Sequence, residues 1–184
     1  MMIRLIDVLT AVLGLLLSAP LLAALGLMCW FDTRAPLFRQ ERVGRHQKPF
    51  VLVKFRTMAA NTPSVATHLA DASAITSFGR FLRRAKLDEL PQLWNVLKGD
   101  MSLVGPRPCL YNQEELIEER AKRGVFDARP GITGLAQVQG IDMSTPELLA
   151  KTDAEMLKSL TAFSYVRFIF LTVLGKGGGD RIRG

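Results

Sequence analysis

The feature that most constrains this chain is an uncharged apolar run from Val8 to Phe31. At about 1.5 Å per residue, a helix over this run would be about 36 Å long, which is enough to cross the hydrocarbon core of a bilayer. The run is too long for the apolar part of a cleavable signal peptide, and CWFDTRAP at its end is a poor cleavage site. We therefore predict a membrane segment that is retained in the protein.

Two features of this segment bear on its topology. Ser18 and Pro20 lie at its middle, where proline removes an amide donor and clashes with the preceding turn. Basic residues flank the run on both sides: Arg4, then Arg34, Arg39, Arg42 and Arg45. Because basic flanks stay cytoplasmic, a re-entrant helix that bends at Ser18–Pro20 and returns to the same face satisfies both observations. An ordinary spanning helix with a tolerated proline kink is the alternative.

The predicted fold class is α+β and mostly helical, with residues 1–33 as the re-entrant membrane helix hairpin. Residues 34–175 form the cytosolic domain, and residues 176–184 form a flexible tail. In this domain we predict a small β-hairpin around the polar turn Gly44–Lys48 and a loop over residues 59–77. Amphipathic interfacial helices and other helices are predicted over FGRFLRRAK, DELPQLWNVLKG, NQEELIEERAKRG, the segment from Ser144, and AFSYVRFIFLTVL.

Charge and cysteine content narrow the class of partner. Lysine and arginine total 24 against 17 acidic residues, giving a formal net charge of +7. This balance favours phosphate-bearing partners such as anionic lipid, a nucleotide or nucleic acid. The sequence lacks the basic strand with interleaved aromatics that binds single-stranded nucleic acid, so we expect no nucleic-acid partner. Cys29 and Cys109 are far apart, which predicts neither a disulfide framework nor a cysteine metal site.

An acidic pair, Asp88 and Glu89, stands within the most basic part of the chain. Asp88 is suited to capping the following helix, with Pro91 in the first turn of that helix. A carboxylate there would also stay ionised and oriented, because it meets the positive end of the helix dipole. A carboxylate that attacks phosphorus as a nucleophile must be ionised and oriented in this way. The nearby cations could bind phosphate oxygens: Arg80, Arg83, Arg84 and Lys86. The residues alone leave both roles of Asp88 open.

Four segments occur in the order FRQERVG, KFRTM, TSFGRFLRRAKLDELPQLWNVLKGDMSLVGPRP and RPGITGLAQV. Together they resemble the bacterial sugar transferases of the monotopic phosphoglycosyl transferase superfamily, in their short form of a membrane-inserted helix and a catalytic domain. The resemblance extends to about Gly175. It implies transfer of a sugar 1-phosphate from a UDP-sugar to polyprenol (undecaprenyl) phosphate with release of UMP, initiating glycoprotein, O-antigen or capsule synthesis. It also implies a re-entrant helix at the cytoplasmic face of the bacterial inner membrane, contact with membrane phospholipid, and Mg²⁺ as cofactor.

The resemblance implies roles for individual residues. Asp88 matches the nucleophile that forms a covalent phosphosugar intermediate, and it is the expected Mg²⁺ ligand. Glu89 completes the dyad and positions or deprotonates the lipid phosphate. Arg83 matches a phosphate-binding arginine, and Arg107 matches a residue at the nucleotide end of the donor. The remaining substrate-binding residues that it implies are Lys54, Arg56, Thr57, Gln92, Pro106 and Pro108. In RPGITGLAQV, the glycines are expected to permit close backbone approach near the active site: Gly131 and Gly134.

Two other functions remain open. A membrane-anchored basic module would bind lipid or nucleic acid without chemistry, and a glycosyltransferase that moves the sugar without its phosphate would release UDP instead of UMP. The C-terminal segment departs from the family pattern, since MLKSLTAFSYV stands where the family has an aromatic-rich run. The resemblance therefore implies least about residues 153–175, and no stretch of the sequence indicates which sugar is transferred.

Overall fold

The computed structural model describes residues 2–59, 62 and 72–175. Within these residues the chain is mostly helical with two small sheets, which confirms the predicted fold class. The helices are α1 (Met2–Thr33), α2 (Ser77–Arg84), α3 (Gln92–Lys98), α4 (Glu114–Lys122), α5 (Leu135–Gln139), α6 (Pro146–Ser159) and α7 (Ala162–Val173). The strands are β1 (Leu37–Val43), β2 (Pro49–Phe55), β3 (Ser102–Val104) and β4 (Gly131–Thr133). The predicted tail at residues 176–184 and most of the predicted loop at residues 59–77 lie outside the described residues.

The N-terminal apolar run forms one continuous helix, α1, which passes through Pro20 without ending. Near this proline, the Ser18 hydroxyl donates a hydrogen bond to the Gly14 carbonyl oxygen at 2.6 Å. By length and composition α1 can cross a membrane, as the sequence predicts. The bend at Ser18–Pro20 stays a prediction.

α1 contacts the remaining domain near both of its ends. Asp7 and Ala11 near the first end and Leu25 and Cys29 near the second are buried, whereas none of residues 12–24 is buried. The first pair packs against α3 and β3, and the second packs against β2 and α2. Both ends of the apolar helix are therefore held by the same domain, and its middle is left exposed.

A buried carboxylate fixes the first end of α1. Asp7 is 1% exposed and accepts hydrogen bonds from the Leu103 amide at 2.9 Å, the Ser102 hydroxyl at 2.9 Å, and the Tyr165 hydroxyl. Burial, and secondarily this hydrogen bond to Asp7, raise the pKa of Tyr165. α1, β3 and α7 therefore meet at one carboxylate that the sequence analysis did not single out.

We expect Tyr165→Phe to lower the free energy of unfolding by about 1–3 kcal/mol. The substitution removes the hydroxyl that bonds Asp7 and the Val104 amide, and both groups stay buried. Tyr111→Phe is the matched control, because the exposed Tyr111 hydroxyl donates only across the surface to the Gln47 carbonyl at 3.1 Å. Thermal unfolding in detergent measures both variants, and equal losses in the two would contradict a structural role for the Asp7 network.

The predicted hairpin is present, and a second sheet accompanies it. β1 and β2 are antiparallel, from the pair Leu37 and Phe55 to the pair Val43 and Pro49. β3 and β4 pair in parallel over three residues each. The sequence analysis did not predict this second sheet, because strands of three residues are too short to show an alternating pattern.

The start of α6 differs from the prediction. The sequence STPE fits a capping box between Ser144 and Glu147 in a helix that starts at Ser144, but the Ser144 hydroxyl donates to the Asp142 carboxylate instead. The helix begins at Pro146, with Thr145 at the N-cap. A neighbouring carboxylate thus competes successfully for the hydroxyl that the capping box requires.

Candidate active site

The acidic pair lies in a short 3₁₀ turn, Leu87–Glu89, which we call the acidic turn. Asp88 is 3% exposed, and the turn is closed by a hydrogen bond from the Leu90 amide to the Leu87 carbonyl at 3.3 Å. The predicted N-cap role of Asp88 is wrong, because Pro91 occupies the cap position and α3 begins only at the next residue. Asp88 therefore lies in the acidic turn, four residues before α3 begins.

Arg83, on the helix before the acidic turn, is held against the end of the hairpin. Its Nε donates to the Thr57 hydroxyl at 2.8 Å. α2 crosses this point closely, since a Cβ atom on Gly79 would lie 2.1 Å from the Thr57 carbonyl oxygen. The Nη1 atom of Arg83 is buried and has no hydrogen-bond partner within the described residues. A buried guanidinium donor of this kind suits an oxygen atom of an anionic ligand.

Arg107 contacts the acidic turn directly. Its Nη2 lies 3.0 Å from Glu89 Oε1, and the two side chains are 25% and 12% exposed. The Arg107 carbonyl oxygen accepts a hydrogen bond from Arg120 Nη1 at 2.8 Å. The predicted site residues Glu89 and Arg107 are thus in direct contact, and Arg120 of α4 anchors the backbone of Arg107.

Arg120 in turn belongs to a fully buried ion pair. Its Nη2 and Nε donate to Asp153 Oδ2 at 2.7 and 3.1 Å, and the two side chains are 2% and 0% exposed. Burial raises the pKa of Asp153, and the neighbouring Arg120 opposes this shift. The sequence analysis did not single out Arg120, because it lies in a helix that carries many charged residues.

Four predicted substrate-binding residues converge on one narrow polar cavity of about 20 Å³: Lys54, Gln92, Arg107 and Pro108. Arg42, which the sequence analysis counted with the membrane flank, lines the cavity as well. Arg42 is 7% exposed and its Nη1 donates to the Pro108 carbonyl oxygen at 3.1 Å, so this arginine of the basic flank also belongs to the site. The cavity is large enough for about one water molecule, and it marks the point where three cations meet.

The Arg56 side chain contacts the start of the hairpin and not the polar cavity. Its guanidinium carbon lies 5.5 Å from the centre of the Phe38 ring, and its Nε donates to the Ala35 carbonyl oxygen at 3.1 Å. It is not among the residues that line the polar cavity. Arg56 therefore supports the start of the hairpin, next to the predicted site residues Lys54 and Thr57.

The parallel sheet brings the segments VGPRP and RPGITGLAQ together. The Gly131 amide donates to the Pro106 carbonyl at 2.9 Å, and the Gly105 amide donates to the Thr133 carbonyl at 2.8 Å. A Cβ atom on Gly131 would lie 2.0 Å from the Gly105 nitrogen, and one on Gly134 would lie 2.7 Å from the Gly105 oxygen. These distances confirm the predicted close backbone approach. The approach joins RPGITGLAQ to the segment that carries Arg107.

The donor groups at the site bear on metal binding. Among the described residues, no group of three histidine, cysteine, aspartate or glutamate side chains is placed to hold a metal ion. Glu89 is paired with Arg107, and Asp88 is the carboxylate of the acidic turn that the resemblance implies as the metal ligand. One protein carboxylate fits a Mg²⁺ ion that takes its remaining ligands from substrate phosphates and water.

Comparison with known proteins adds a family and several relatives. The family model described as bacterial sugar transferase matches residues 1–176. A sugar transferase of Bacillus subtilis is 43% identical over 136 residues, covering 74% of this chain and 67% of the relative. The UDP-glucose:undecaprenyl-phosphate glucose-1-phosphate transferase of Caulobacter vibrioides is 40% identical over 182 residues, covering 92% of this chain and 67% of the relative. The undecaprenyl-phosphate galactose phosphotransferase of Salmonella typhimurium is 34% identical over 186 residues, covering 92% of this chain and 39% of the relative.

Proposed function

Because the chain belongs to the bacterial sugar transferase family, we propose that it transfers a sugar 1-phosphate from a UDP-sugar to polyprenol phosphate and releases UMP. The observation that carries this proposal is the acidic turn, in which Asp88 is buried and Glu89 contacts Arg107, while Arg83, five residues before Asp88, has a buried donor without a partner within the described residues. The Caulobacter and Salmonella relatives are named for transfers of this kind, with glucose and galactose respectively. The chain spans about two thirds of the first of these proteins and less than half of the second.

In the first step, a carboxylate oxygen of Asp88 attacks the β-phosphorus of the UDP-sugar. A bond forms between this oxygen and phosphorus, and the bond from phosphorus to the bridging oxygen of the α-phosphate breaks, so that UMP leaves. Attack of one anion on another is opposed by charge repulsion, which cations must offset. Arg83, with its buried free donor, and the cations around the polar cavity are placed to bind the phosphate oxygens.

In the second step, an oxygen of the polyprenol phosphate attacks the same phosphorus. The bond between phosphorus and the Asp88 oxygen breaks, which regenerates the carboxylate and gives a polyprenyl diphosphate sugar. Glu89 holds Arg107 at 3.0 Å, and we assign both residues to positioning the phosphates that enter and leave. Mg²⁺, when bound by Asp88, supplies charge neutralisation for the donor diphosphate.

We also propose that the protein is monotopic at the cytoplasmic face of the bacterial inner membrane. Both ends of α1 contact the same domain, whereas a spanning helix has its ends on opposite faces of the bilayer. The described domain also exposes large apolar side chains that suit contact with phospholipid: Phe81, Trp94, Phe163, Val166, Phe170 and Val173.

The proposal predicts the product of the purified protein. Detergent-solubilised protein mixed with Mg²⁺, polyprenol phosphate and each member of a panel of UDP-sugars is expected to release UMP with at least one donor. Nucleotide chromatography measures the product. Release of UDP instead of UMP would identify a glycosyltransferase, and salt-sensitive lipid or oligonucleotide binding without turnover of any donor would identify a binding module.

A further inference from the structure

Two apolar grooves contact α1. The first, which we call the α1–α7 groove, has a volume of about 630 Å³ and lies between α1, α3, β4 and α7. Its apolar walls include Leu93, Ile132, Ile169 and Val173. The second, which we call the α1–hairpin groove, has a volume of about 670 Å³ and lies between α1, the β-hairpin and α3. Both volumes are within the range of small-molecule sites.

Contact with the acidic turn distinguishes the two grooves. Glu89 of the acidic turn lines the α1–α7 groove, together with Arg84 and Lys86. The α1–hairpin groove is also lined by two cations, Arg39 and Lys98, but the described residues that line it include none from the acidic turn. The α1–α7 groove therefore combines apolar walls with two cations, at the residue that follows the proposed nucleophile in the chain. A molecule with a hydrocarbon chain and a phosphate at one end is complementary to this arrangement.

The α1–α7 groove is also open towards the surface that we assign to the membrane. Val173 and Leu174, which form part of its wall, are 79% and 62% exposed. A chain much longer than the groove can therefore leave it past these residues and continue into the bilayer. A fully enclosed cavity of this volume would exclude such a molecule.

We propose that the α1–α7 groove binds the part of the polyprenol chain nearest its phosphate, and that Arg84 and Lys86 bind the phosphate beside Glu89. This assignment rests on the proposed function, because it identifies the site of the second substrate. It places the acceptor on the side of the acidic turn that faces α1 and α7. The donor phosphates then occupy the side with Arg83 and the polar cavity.

Val173→Glu tests the groove directly. Because Val173 is 79% exposed, the substitution leaves the packing of the fold unchanged and adds a charge to the wall of the groove. We expect kcat/KM for polyprenol phosphate to fall by at least about tenfold, because hydrocarbon binds poorly beside a charge. We expect kcat/KM for the UDP-sugar to stay at the wild-type value.

Val166→Glu is the matched control, with the same replacement on the same helix. Val166 is 54% exposed and does not line the groove, so this variant reproduces any general weakening of membrane contact. Equal losses of kcat/KM for polyprenol phosphate in the two variants would overturn the proposal. Unchanged acceptor kinetics in Val173→Glu would overturn it as well.

A binding measurement separates this proposal from the proposed function. Polyprenol phosphate with a photoreactive group near the phosphate is expected to crosslink to α7 or α3 in the wild-type protein, even without a UDP-sugar. Excess unlabelled polyprenol phosphate should prevent the crosslink, and phospholipid should not. Equal competition by phospholipid would identify a lipid groove, and crosslinks confined to β1 and β2 would place the acceptor in the α1–hairpin groove. Absence of UMP with every donor would contradict the proposed function alone.

Discussion

We expect Asp88→Asn to lower the rate of polyprenol-dependent UMP release by at least about 1,000-fold. The amide has almost the same shape as the carboxylate, but it lacks the anionic oxygen that forms the bond to phosphorus. Asp88 is 3% exposed, and so water cannot readily replace that oxygen as the nucleophile. UMP release is measured with purified protein, Mg²⁺, polyprenol phosphate and the donor that the wild-type protein uses.

Asp127→Asn is the matched control for this loss. Its side chain is 84% exposed and lies outside the acidic turn, so the same chemical change is expected to leave UMP release unaffected. Circular dichroism checks that the Asp88 variant keeps its helical content. UMP release at the wild-type rate by Asp88→Asn would reject Asp88 as the nucleophile. A labelled donor that leaves no phosphosugar adduct on Asp88, while product still accumulates, would reject the covalent route.

The parts of the fold with a long local pattern are those that the sequence predicts. The apolar run gives α1, the polar turn Gly44–Lys48 gives the hairpin, and AFSYVRFIFLTVL gives α7. β3 and β4 escape prediction because each has three residues and they pair across 29 positions, Ser102 with Gly131. The glycines of RPGITGLAQ do predict a close approach, but the approached residue, Gly105, is known only from the fold.

The sequence predicts some residues of the candidate site and misses others, again because only local patterns can be read from it. Motifs identify Asp88, Glu89, Arg83 and Arg107, and the fold brings these residues to one turn and its two flanks. The sequence gives no way to separate Arg42, buried beside the site, from exposed arginines of the same segment. The cap position of Asp88 is misjudged because Pro91 shifts the start of α3 by several residues.

The motifs alone also do not show what holds the site residues in place. Arg107 is anchored through its carbonyl oxygen by Arg120, which is paired with Asp153 across 33 positions of sequence. Periodicity cannot predict a contact between two helices at that separation, because each residue has an ordinary place in its own helix. Asp153 is nevertheless one point at which the C-terminal segment, for which the resemblance implies least, reaches the candidate site.

We expect Arg120→Met to lower the free energy of unfolding by about 3–5 kcal/mol, because it leaves the Asp153 carboxylate buried without its partner. Lys122→Met, the same replacement two positions away on α4, is expected to leave the melting temperature unchanged, since Lys122 pairs with Glu119 at the surface.

The double variant Arg120→Met/Asp153→Leu should recover most of the lost stability, because no unpaired charge remains. It should still turn over the UDP-sugar more slowly, since the Arg107 backbone has lost its anchor. Thermal unfolding and donor kinetics measure these effects. Equal melting temperatures for Arg120→Met and Lys122→Met would show that the buried pair does not hold α4 against α6.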